Sequence, residues 1–207
     1  VESASEVCRS GHAQSPIDLP SCRETAELEV ISLGWTDHLH MAFESGPHYL
    51  KLLPQSEQHT IVGSEAFNLM HCEFHLGSEH TVGGKQYDVS VQCLHSRMRA
   101  GSKLERNHMI LARFFDTGVS SNPLLAHVAY IVPDSGAESV EVDTTGELAL
   151  LFDGAAMMKY WAYSGSLTTP GCDEGVEWKV LMDSGSINLQ DLQALQRAIG
   201  ADAEGHG

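Results

Sequence analysis

The sequence has few basic residues and lacks any long hydrophobic run. Only 12 Lys and Arg stand against 28 Asp and Glu in its 207 residues, a formal net charge of −16. This excess of negative charge repels the phosphate backbone of nucleic acids and anionic membrane surfaces, so we expect neither as a partner. No apolar run approaches the roughly 20 residues that a membrane-spanning helix needs, so we expect no transmembrane segment.

The chain also has no internal repeat and no low-complexity tract. Few long helical periods precede its C-terminal stretch. A length of 207 residues with 42% hydrophobic content suits one globular domain over 1–207 with a sizeable core. Nineteen glycines and seven prolines are spread along the chain, which favours a fold of strands and loops. We expect the ends, 1–7 and 201–207, to be flexible.

Apolar runs bounded by Gly, Ser, Asn and Pro predict the strands of a mostly antiparallel sheet. These runs are 48–54, 66–77, 87–95, 108–118 and 147–154. One helix is predicted over 188–200, because Leu189, Leu192 and Leu195 recur there at helical spacing. Gly200 offers it a C-terminal stop.

The stretch "HCEFHLGSEH", residues 71–80, places histidine, carboxylate and histidine at alternate positions of a predicted strand. Alternate positions share one face and lie roughly 6.6 Å apart, whereas zinc holds its nitrogen and oxygen ligands at about 2.0–2.2 Å. His71 and His75, about 13 Å apart along the strand, are therefore not expected to bind one ion together. Either could do so with Glu73, and the next strand offers Gln92 on one face or His95 on the other as a further ligand.

A basic segment interrupts the acidic sequence at "RMRAGSKLER". It contains Arg97, Arg99, Lys103 and Arg106, four of the twelve basic residues of the chain. Two interpretations stay open at this point: a solvated loop, or a docking surface for an acidic protein partner in a larger complex.

Three segments carry a resemblance to a known family. The strings "QSPIDL" at 14–19, "FHLGSEHTVGGKQY" at 74–87 and "YWAYSGSLTTPGCDEGVEW" at 160–178 resemble the α-carbonic anhydrase family, in the family's own order. The resemblance implies a mainly β fold: a central, twisted, mostly antiparallel sheet of ten strands with few short helices. Compared with the family, the chain is expected to be shortened at both termini, and the missing C-terminal strand to leave an edge that a partner subunit covers.

The resemblance also implies a zinc site with two of its three ligands replaced. His75 matches the second zinc-binding histidine, but Glu73 and Gln92 stand where the other two are expected, and His95 matches a histidine that is not a ligand. A carboxylate is an accepted zinc ligand, whereas a glutamine carbonyl is a weak neutral donor. If zinc were bound by Glu73, His75 and Gln92, the anionic Glu73 would raise the pKa of its bound water above the ~7 that hydration needs. We therefore expect no metal cofactor.

Other parts of a catalytic site match the family. Thr168 matches the threonine that orients a zinc-bound hydroxide, and Glu79 the carboxylate that accepts its hydrogen bond. His48 stands about where the family keeps a proton-shuttle histidine, although it also fits an exposed histidine at a strand end. The expected pocket lining is Ile110, Leu167, Thr169, Val176 and Trp178.

In the absence of a metal, we expect Glu73 to form a hydrogen bond with His75, with Gln92 completing a polar cluster at the base of the pocket. His71 is then expected to line the cavity above Glu73. It is also the one residue that could repair a metal site, as His71, Glu73 and a third group.

Cysteine usage indicates the compartment. Cys8 and Cys172 match a pair that secreted members of the family join as a disulfide, which implies an extracytoplasmic location: secreted, periplasmic or an organelle lumen. Cys72 and Cys93, next to Glu73 and Gln92, are expected to face the core as buried thiols. We assign no role to Cys22.

Two functions follow from these observations. The first is a non-catalytic protein similar to the carbonic-anhydrase-related members of the family, serving as a structural or binding subunit. The second is an active lyase, a carbonate dehydratase that hydrates carbon dioxide, with an altered zinc site of Glu73, His75 and either Gln92 or His71.

Overall fold

The computed structural model of the protein describes residues 6–21, 29–35, 40–45, 50–97, 108–131, 140–143, 147–152 and 159–199. These residues form thirteen strands and four helices. The strands are β1 (Asp18–Leu19), β2 (Ile31–Gly34), β3 (His40–Ser45), β4 (Leu50–Pro54), β5 (His59–Val62), β6 (Glu65–Leu76), β7 (Thr81–Val82), β8 (Val89–Arg97), β9 (His108–Gly118), β10 (Val140–Asp143), β11 (Tyr160–Ser166), β12 (Glu174–Leu181) and β13 (Gly185–Asn188). The helices are α1 (Glu6–Ser10), α2 (Pro123–Ile131), α3 (Glu147–Leu150) and α4 (Leu189–Ile199).

Within the described residues, one large sheet of eleven strands forms the body of the fold. Its main path runs β10-β3-β4-β6-β8-β9-β12-β11, and β1 and β7 form a separate parallel pair. Neighbours on the path are antiparallel except β12, which pairs with β9 in parallel, as β13 also does. The mainly β fold is thus confirmed. The described residues place eleven strands in this sheet instead of the expected ten: eight on the path, with β5 paired to β6, β2 to β5 and β13 to β9 beside it.

The sheet separates two apolar clusters. The larger lies on the face covered by α2 and α4 and includes Phe74, Val91 and Leu111. The smaller lies on the opposite face and includes Ile110 and Trp178. Because successive strand residues point to opposite faces, each central strand supplies alternate side chains to the large core and to the second face.

A β-bulge in β6 decides which residues reach the second face. The β6–β8 register shifts between Leu69 and His71, which leaves Met70 as the extra residue. Leu69 belongs to the large core, and Met70 is 46% exposed. In a regular strand without a bulge, His71 would share the core face of Leu69, since alternate residues share a face. The bulge therefore turns His71 and the alternate residues that follow it away from the core.

The structure confirms the predicted strand over 108–118 and the predicted helix near 188–200, which it places at Leu189–Ile199. Leu192 and Leu195 are buried on this helix, but Leu189, predicted to share their face, is 57% exposed at its first position. The predicted strand over 147–154 is wrong, since residues 147–150 form α3.

The burial pattern explains why this segment is a helix. Leu148, Leu151 and Phe152 are buried while Leu150 is 44% exposed. Burial at positions i, i+3 and i+4 is the period of a helix turn rather than the period of two that a strand shows.

Two disulfides link the described residues. Cys8 and Cys172 are joined with a Cα–Cα distance of 5.1 Å, as expected, and this bond ties α1 to the loop after β11. Helix α1 begins at Glu6, inside the segment 1–7 that was expected to be flexible. The interpretation of Cys72 and Cys93 as thiols is wrong: both are fully buried in the large core, but they form a second disulfide.

The second disulfide follows from strand register. Glu73 lies opposite Gln92 in the antiparallel β6–β8 pair, so Cys72 and Cys93 must also lie opposite each other. Their Cα atoms are 4.0 Å apart, within reach of a disulfide when both side chains point to the same face.

Candidate functional site

A pocket of about 230 Å³ opens on the second face of the sheet, where β4, β6, β8 and β9 meet the loop after β11. Its polar part combines an ammonium, a carboxylate, an imidazole, an amide and hydroxyls, and its apolar part is aliphatic. The lining residues are Lys51, His71, Glu73, Gln92, Leu94, Ile110, Leu167, Thr168 and Thr169. The pocket therefore brings together Glu73 and Gln92, the two positions at which the resemblance implies missing zinc ligands.

Strand register places the polar residues in a row across the floor of this pocket. Lys51 on β4 lies opposite Glu73 on β6, and Glu73 lies opposite Gln92 on β8. Residues directly opposite on neighbouring strands have Cβ atoms about 4.5–5.5 Å apart, so their side chains can pair. The row Lys51–Glu73–Gln92 thus results from pairings between distant parts of the chain.

Glu73 is held by two partners in the pocket. Lys51 Nζ lies 2.9 Å from Glu73 Oε1, and His71 Nε2 lies 3.3 Å from the same oxygen. The Lys51 and Glu73 side chains are 22% and 12% exposed, so the ion pair is largely shielded from water. A shielded pair of this kind is screened by salt much less than a surface pair.

His75 does not pair with Glu73 as expected from the sequence. Its Nε2 atom lies 3.6 Å from Glu73 Oε2, beyond normal hydrogen-bond distance. This nitrogen is also buried without a hydrogen-bond partner. The expected Glu73–His75 hydrogen bond is therefore not formed, and the close partner of Glu73 is Lys51, which lies directly across the strands.

The surroundings of Glu73 favour its charged form. Burial alone would raise the pKa of its carboxyl group, but the contacts with His71, His75 and Lys51, together with the Lys51 charge, lower it well below the usual range. The carboxylate is thus ionised at neutral pH and neutralised by an ammonium group of the same chain.

We predict that this ion pair makes stability depend on acid pH. Because the pKa of Glu73 is lower in the folded state, its contribution is fully present above the unfolded value near 4.5 and is lost as pH falls below that value. The loss in unfolding free energy caused by Glu73→Gln should therefore be large at pH 7 and smaller near pH 3.5, as measured by urea unfolding. Glu57→Gln, at an exposed position, controls for the loss of one carboxylate. A Glu73→Gln effect that does not change with pH would contradict the assignment.

Gln92 forms a hydrogen bond with Glu79. Its Nε2 donates a hydrogen bond of 2.8 Å to Glu79 Oε2, and Gln92 is only 5% exposed. A carboxylate only accepts, so the amide nitrogen must face Glu79. The resemblance pairs Glu79 with Thr168, yet among the described residues the hydrogen bond that Glu79 accepts comes from Gln92. Thr168 itself lines the pocket.

Val176 and Trp178 lie behind the pocket wall rather than on it. Both are buried in the smaller cluster with Ile110, and Leu167 packs against them. Trp178 Nε1 donates to the Ser166 carbonyl at 3.0 Å, which anchors the strand just before the Leu167–Thr169 loop. They therefore support the lining instead of forming it.

A second polar cluster lies beside Trp178. His80 Nε2 and the Tyr163 hydroxyl are 2.5 Å apart, and this hydroxyl lies 2.9 Å from Ser15 Oγ. Burial lowers the pKa of His80 to about 4 and raises the pKa of Tyr163 to about 12. Both are thus neutral at pH 7 and connect the segment at Ser15 to β11.

His95 lies on the opposite face from Glu73. It is fully buried, and its Nδ1 lies 2.8 Å from the Cys93 carbonyl. Nδ1 must therefore carry the hydrogen, and Nε2 accepts from the Thr60 hydroxyl at 3.0 Å. Burial lowers the pKa of His95 to about 4. It is a neutral core histidine, not part of the pocket.

Several residues singled out from the sequence, His48, Cys22, Arg99, Lys103 and Arg106, lie outside the described residues. Arg97 is described and is 17% exposed. Its guanidinium pairs with Glu65 and with Glu177, so its charge is already compensated within the chain.

Sequence reasoning missed two pocket residues, Lys51 and Leu94. A signal existed for Lys51, which interrupts an otherwise apolar strand between the buried Leu50 and Leu52. A lysine inside such a strand faces the other side of the sheet, and when shielded there it requires an anionic partner.

The residues present do not fit the zinc ion that the resemblance implies. Of the matched ligand positions, only His75 offers an imidazole; the Glu73 carboxylate is neutralised by Lys51, and the Gln92 amide nitrogen is turned to Glu79. Within the part of the chain that the structure describes, no three His, Cys, Asp or Glu side chains form a group that could hold a metal ion. A strong site needs three or four such ligands at short distance.

None of the helices described is long and apolar enough to span a membrane.

Comparison with known proteins agrees with the fold. Alpha carbonic anhydrase 4 of Arabidopsis thaliana is 26% identical over 198 residues, covering 94% of this chain and 69% of the relative. Dioscorin DB3L of Dioscorea polystachya is 26% identical over 204 residues, covering 96% and 71%. The structure of α-carbonic anhydrase from Thermovibrio ammonificans superposes with a TM-score of 0.81 at 28% identity, covering 94% of this chain and 82% of that one. Residues 2–206 match the family described as eukaryotic-type carbonic anhydrase. The chain therefore belongs to the eukaryotic-type carbonic anhydrase family.

Proposed function

We propose that this member of the family is a non-catalytic, carbonic-anhydrase-like protein that binds or supports a partner instead of hydrating carbon dioxide. The observation that carries the proposal is the ion pair between Lys51 and Glu73, at 2.9 Å. Glu73 stands where the resemblance implies a zinc ligand, and its carboxylate is already paired with an ammonium group. An ammonium group that already neutralises the carboxylate opposes the approach of a second cation.

Gln92 supports the same conclusion at the other replaced position. Its amide nitrogen donates to Glu79. With this nitrogen facing Glu79, Gln92 could offer a metal only its neutral carbonyl oxygen, which is a weak donor for zinc. Both replaced positions are therefore satisfied by partners within the protein.

Hydration of carbon dioxide through an altered zinc site is the alternative. Relatives of this chain are named carbonic anhydrases, and the pocket retains Thr168 beside its aliphatic wall. Such an activity would need zinc held by Glu73, His75 and either Gln92 or His71. It would require Lys51 to leave Glu73.

The experiment is to measure zinc content and carbon dioxide hydration of the same purified protein, before and after incubation with excess zinc and dialysis. We expect less than stoichiometric zinc and no hydration above the buffer rate in both samples. Incubation with zinc controls for loss of metal during purification. One zinc per chain, with hydration abolished by Glu73→Ala, would overturn the proposal and establish the alternative.

We propose an extracytoplasmic location for this function. Disulfides persist in oxidising compartments and are rare in the cytosol, and the described residues contain two of them, Cys8–Cys172 and Cys72–Cys93.

That the protein belongs to a larger complex stays a prediction, which rests on the basic segment. Because Arg97 is paired internally, docking of an acidic partner would depend on Arg99, Lys103 and Arg106.

A further inference from the structure

We infer that Lys51 keeps divalent metal ions from binding between His71 and Glu73, by placing its own ammonium group at the carboxylate oxygen that faces His71. The inference rests on the proposed function and adds a cause to it. It assigns exclusion to the charge of Lys51, and not only to the loss of histidine at two positions.

Glu73 and His71 already have the spacing of two metal ligands. Ligands of a tetrahedral ion at bond lengths near 2.1 Å lie about 3.4 Å apart. His71 Nε2 and Glu73 Oε1 are 3.3 Å apart, and on the other side of the carboxylate His75 Nε2 and Glu73 Oε2 are 3.6 Å apart. Each carboxylate oxygen is thus flanked by one imidazole at a distance that an ion could bridge.

Lys51 stands on one of these two sides. Its Nζ lies 2.9 Å from Oε1, the same oxygen that His71 approaches. A divalent ion bound to Oε1 and His71 would lie within a few ångströms of this ammonium, and the two positive charges would repel strongly in a shielded pocket. An ammonium and a metal ion therefore compete for one oxygen.

The position of Lys51 is fixed by the sheet rather than by a mobile loop. Lys51 lies opposite Glu73 in the β4–β6 register, and its neighbours Leu50 and Leu52 are fully buried in the large core. The backbone of Lys51 cannot move away without withdrawing these two side chains from the core. The Lys51 ammonium group is therefore held at the pocket floor by the sheet.

The test is cobalt(II) and zinc(II) binding by Lys51→Met, which removes the charge but keeps a long aliphatic side chain. Titration calorimetry with zinc and visible absorption with cobalt should show each ion bound about tenfold or more tighter than by the unmodified protein. Lys51→Arg retains a positive charge and should stay as weak as the unmodified protein. Lys51→Met combined with His71→Asn or with Glu73→Gln should lose the gain.

The outcomes separate this inference from the proposed function. Stoichiometric zinc in the unmodified protein would overturn the proposed function itself. An unmodified protein without zinc, together with a Lys51→Met variant that binds no tighter, would overturn only the role of Lys51. Equal binding by Lys51→Arg and Lys51→Met would also overturn it, because charge would then not be the cause. Near-ultraviolet circular dichroism checks folding, and Lys51→Gln provides a second neutral variant if Lys51→Met unfolds.

Discussion

Replacing Glu73 and Gln92 together with histidine is expected to convert a protein without stoichiometric zinc into one that holds one zinc per chain. His75 already supplies one imidazole on β6, Glu73 shares its face, and Gln92 lies directly opposite Glu73 on β8. Three imidazoles from these positions would meet in front of the pocket floor, which is the ligand set of a catalytic zinc site. Zinc bound by three neutral ligands lowers the pKa of its water to about 7.

Each single replacement should bind zinc at least about tenfold more weakly than the double variant, because two imidazoles leave the ion loosely held. Zinc content after dialysis and the rate of carbon dioxide hydration measure the two effects. The matched control is Glu57→His with Gln190→His, which adds two histidines at exposed positions.

The double variant removes the carboxylate partner of Lys51, so this ammonium is left close to the new site. Adding Lys51→Met should therefore increase zinc affinity further. A double variant that stays folded and binds no more zinc than the Glu57→His/Gln190→His control would show that the pocket geometry, and not its ligands, excludes the metal.

Removing the Cys8–Cys172 disulfide is expected to cause the largest loss of stability. The bond closes a sequence separation of 164 residues, for which loop-closure entropy predicts up to about 5 kcal/mol. In a domain of this size that loss lowers the melting temperature by about 10–20 °C. Cys8→Ser with Cys172→Ser, followed by thermal unfolding under non-reducing conditions, measures it.

The backbone conformation of Cys172 allows the stability lost with the disulfide to be separated from the cost of backbone strain. Its φ of +46° lies in the left-handed region, where glycine is favoured over residues with a Cβ. Cys8→Ser with Cys172→Gly should therefore lose about 1 kcal/mol less than the double serine variant. Equal melting temperatures for the two variants would show that the loop abandons this conformation once the bond is gone.

The short-range disulfide provides the comparison. Cys72–Cys93 spans a sequence separation of 21, for which the same entropy argument gives about 3 kcal/mol. Its removal also changes packing, because both residues are fully buried. Reduction under native conditions avoids that complication. The Cys8–Cys172 bond should be reduced first, because its cysteines are only half-buried whereas Cys72 and Cys93 are fully buried. A melting temperature that does not move when this bond alone is reduced would contradict the predicted ranking.

Local patterns in the sequence were sufficient for part of this protein. The strand at 108–118 and the helix ending at Ile199 follow from apolar periodicity, since each period corresponds to one face of one element. Alternation also placed Glu73 and Gln92 on one face and Cys72 and Cys93 on the other. The Cys72–Cys93 disulfide was within reach of the same reasoning, because setting Glu73 opposite Gln92 in an antiparallel pair also sets the two cysteines opposite each other.

By itself, the sequence determined the family, through its three motif segments, and the two replaced ligand positions. Only the tertiary structure decided what replaces the ligands. Lys51 reaches Glu73, and Gln92 turns to Glu79, through pairings between β4, β6 and β8 and the turn after β6. The bulge at Met70 then directs His71 into the same pocket. The physical reason is that periodicity reports which face a side chain occupies, whereas the partner it meets there depends on strand register between segments that are distant in the chain.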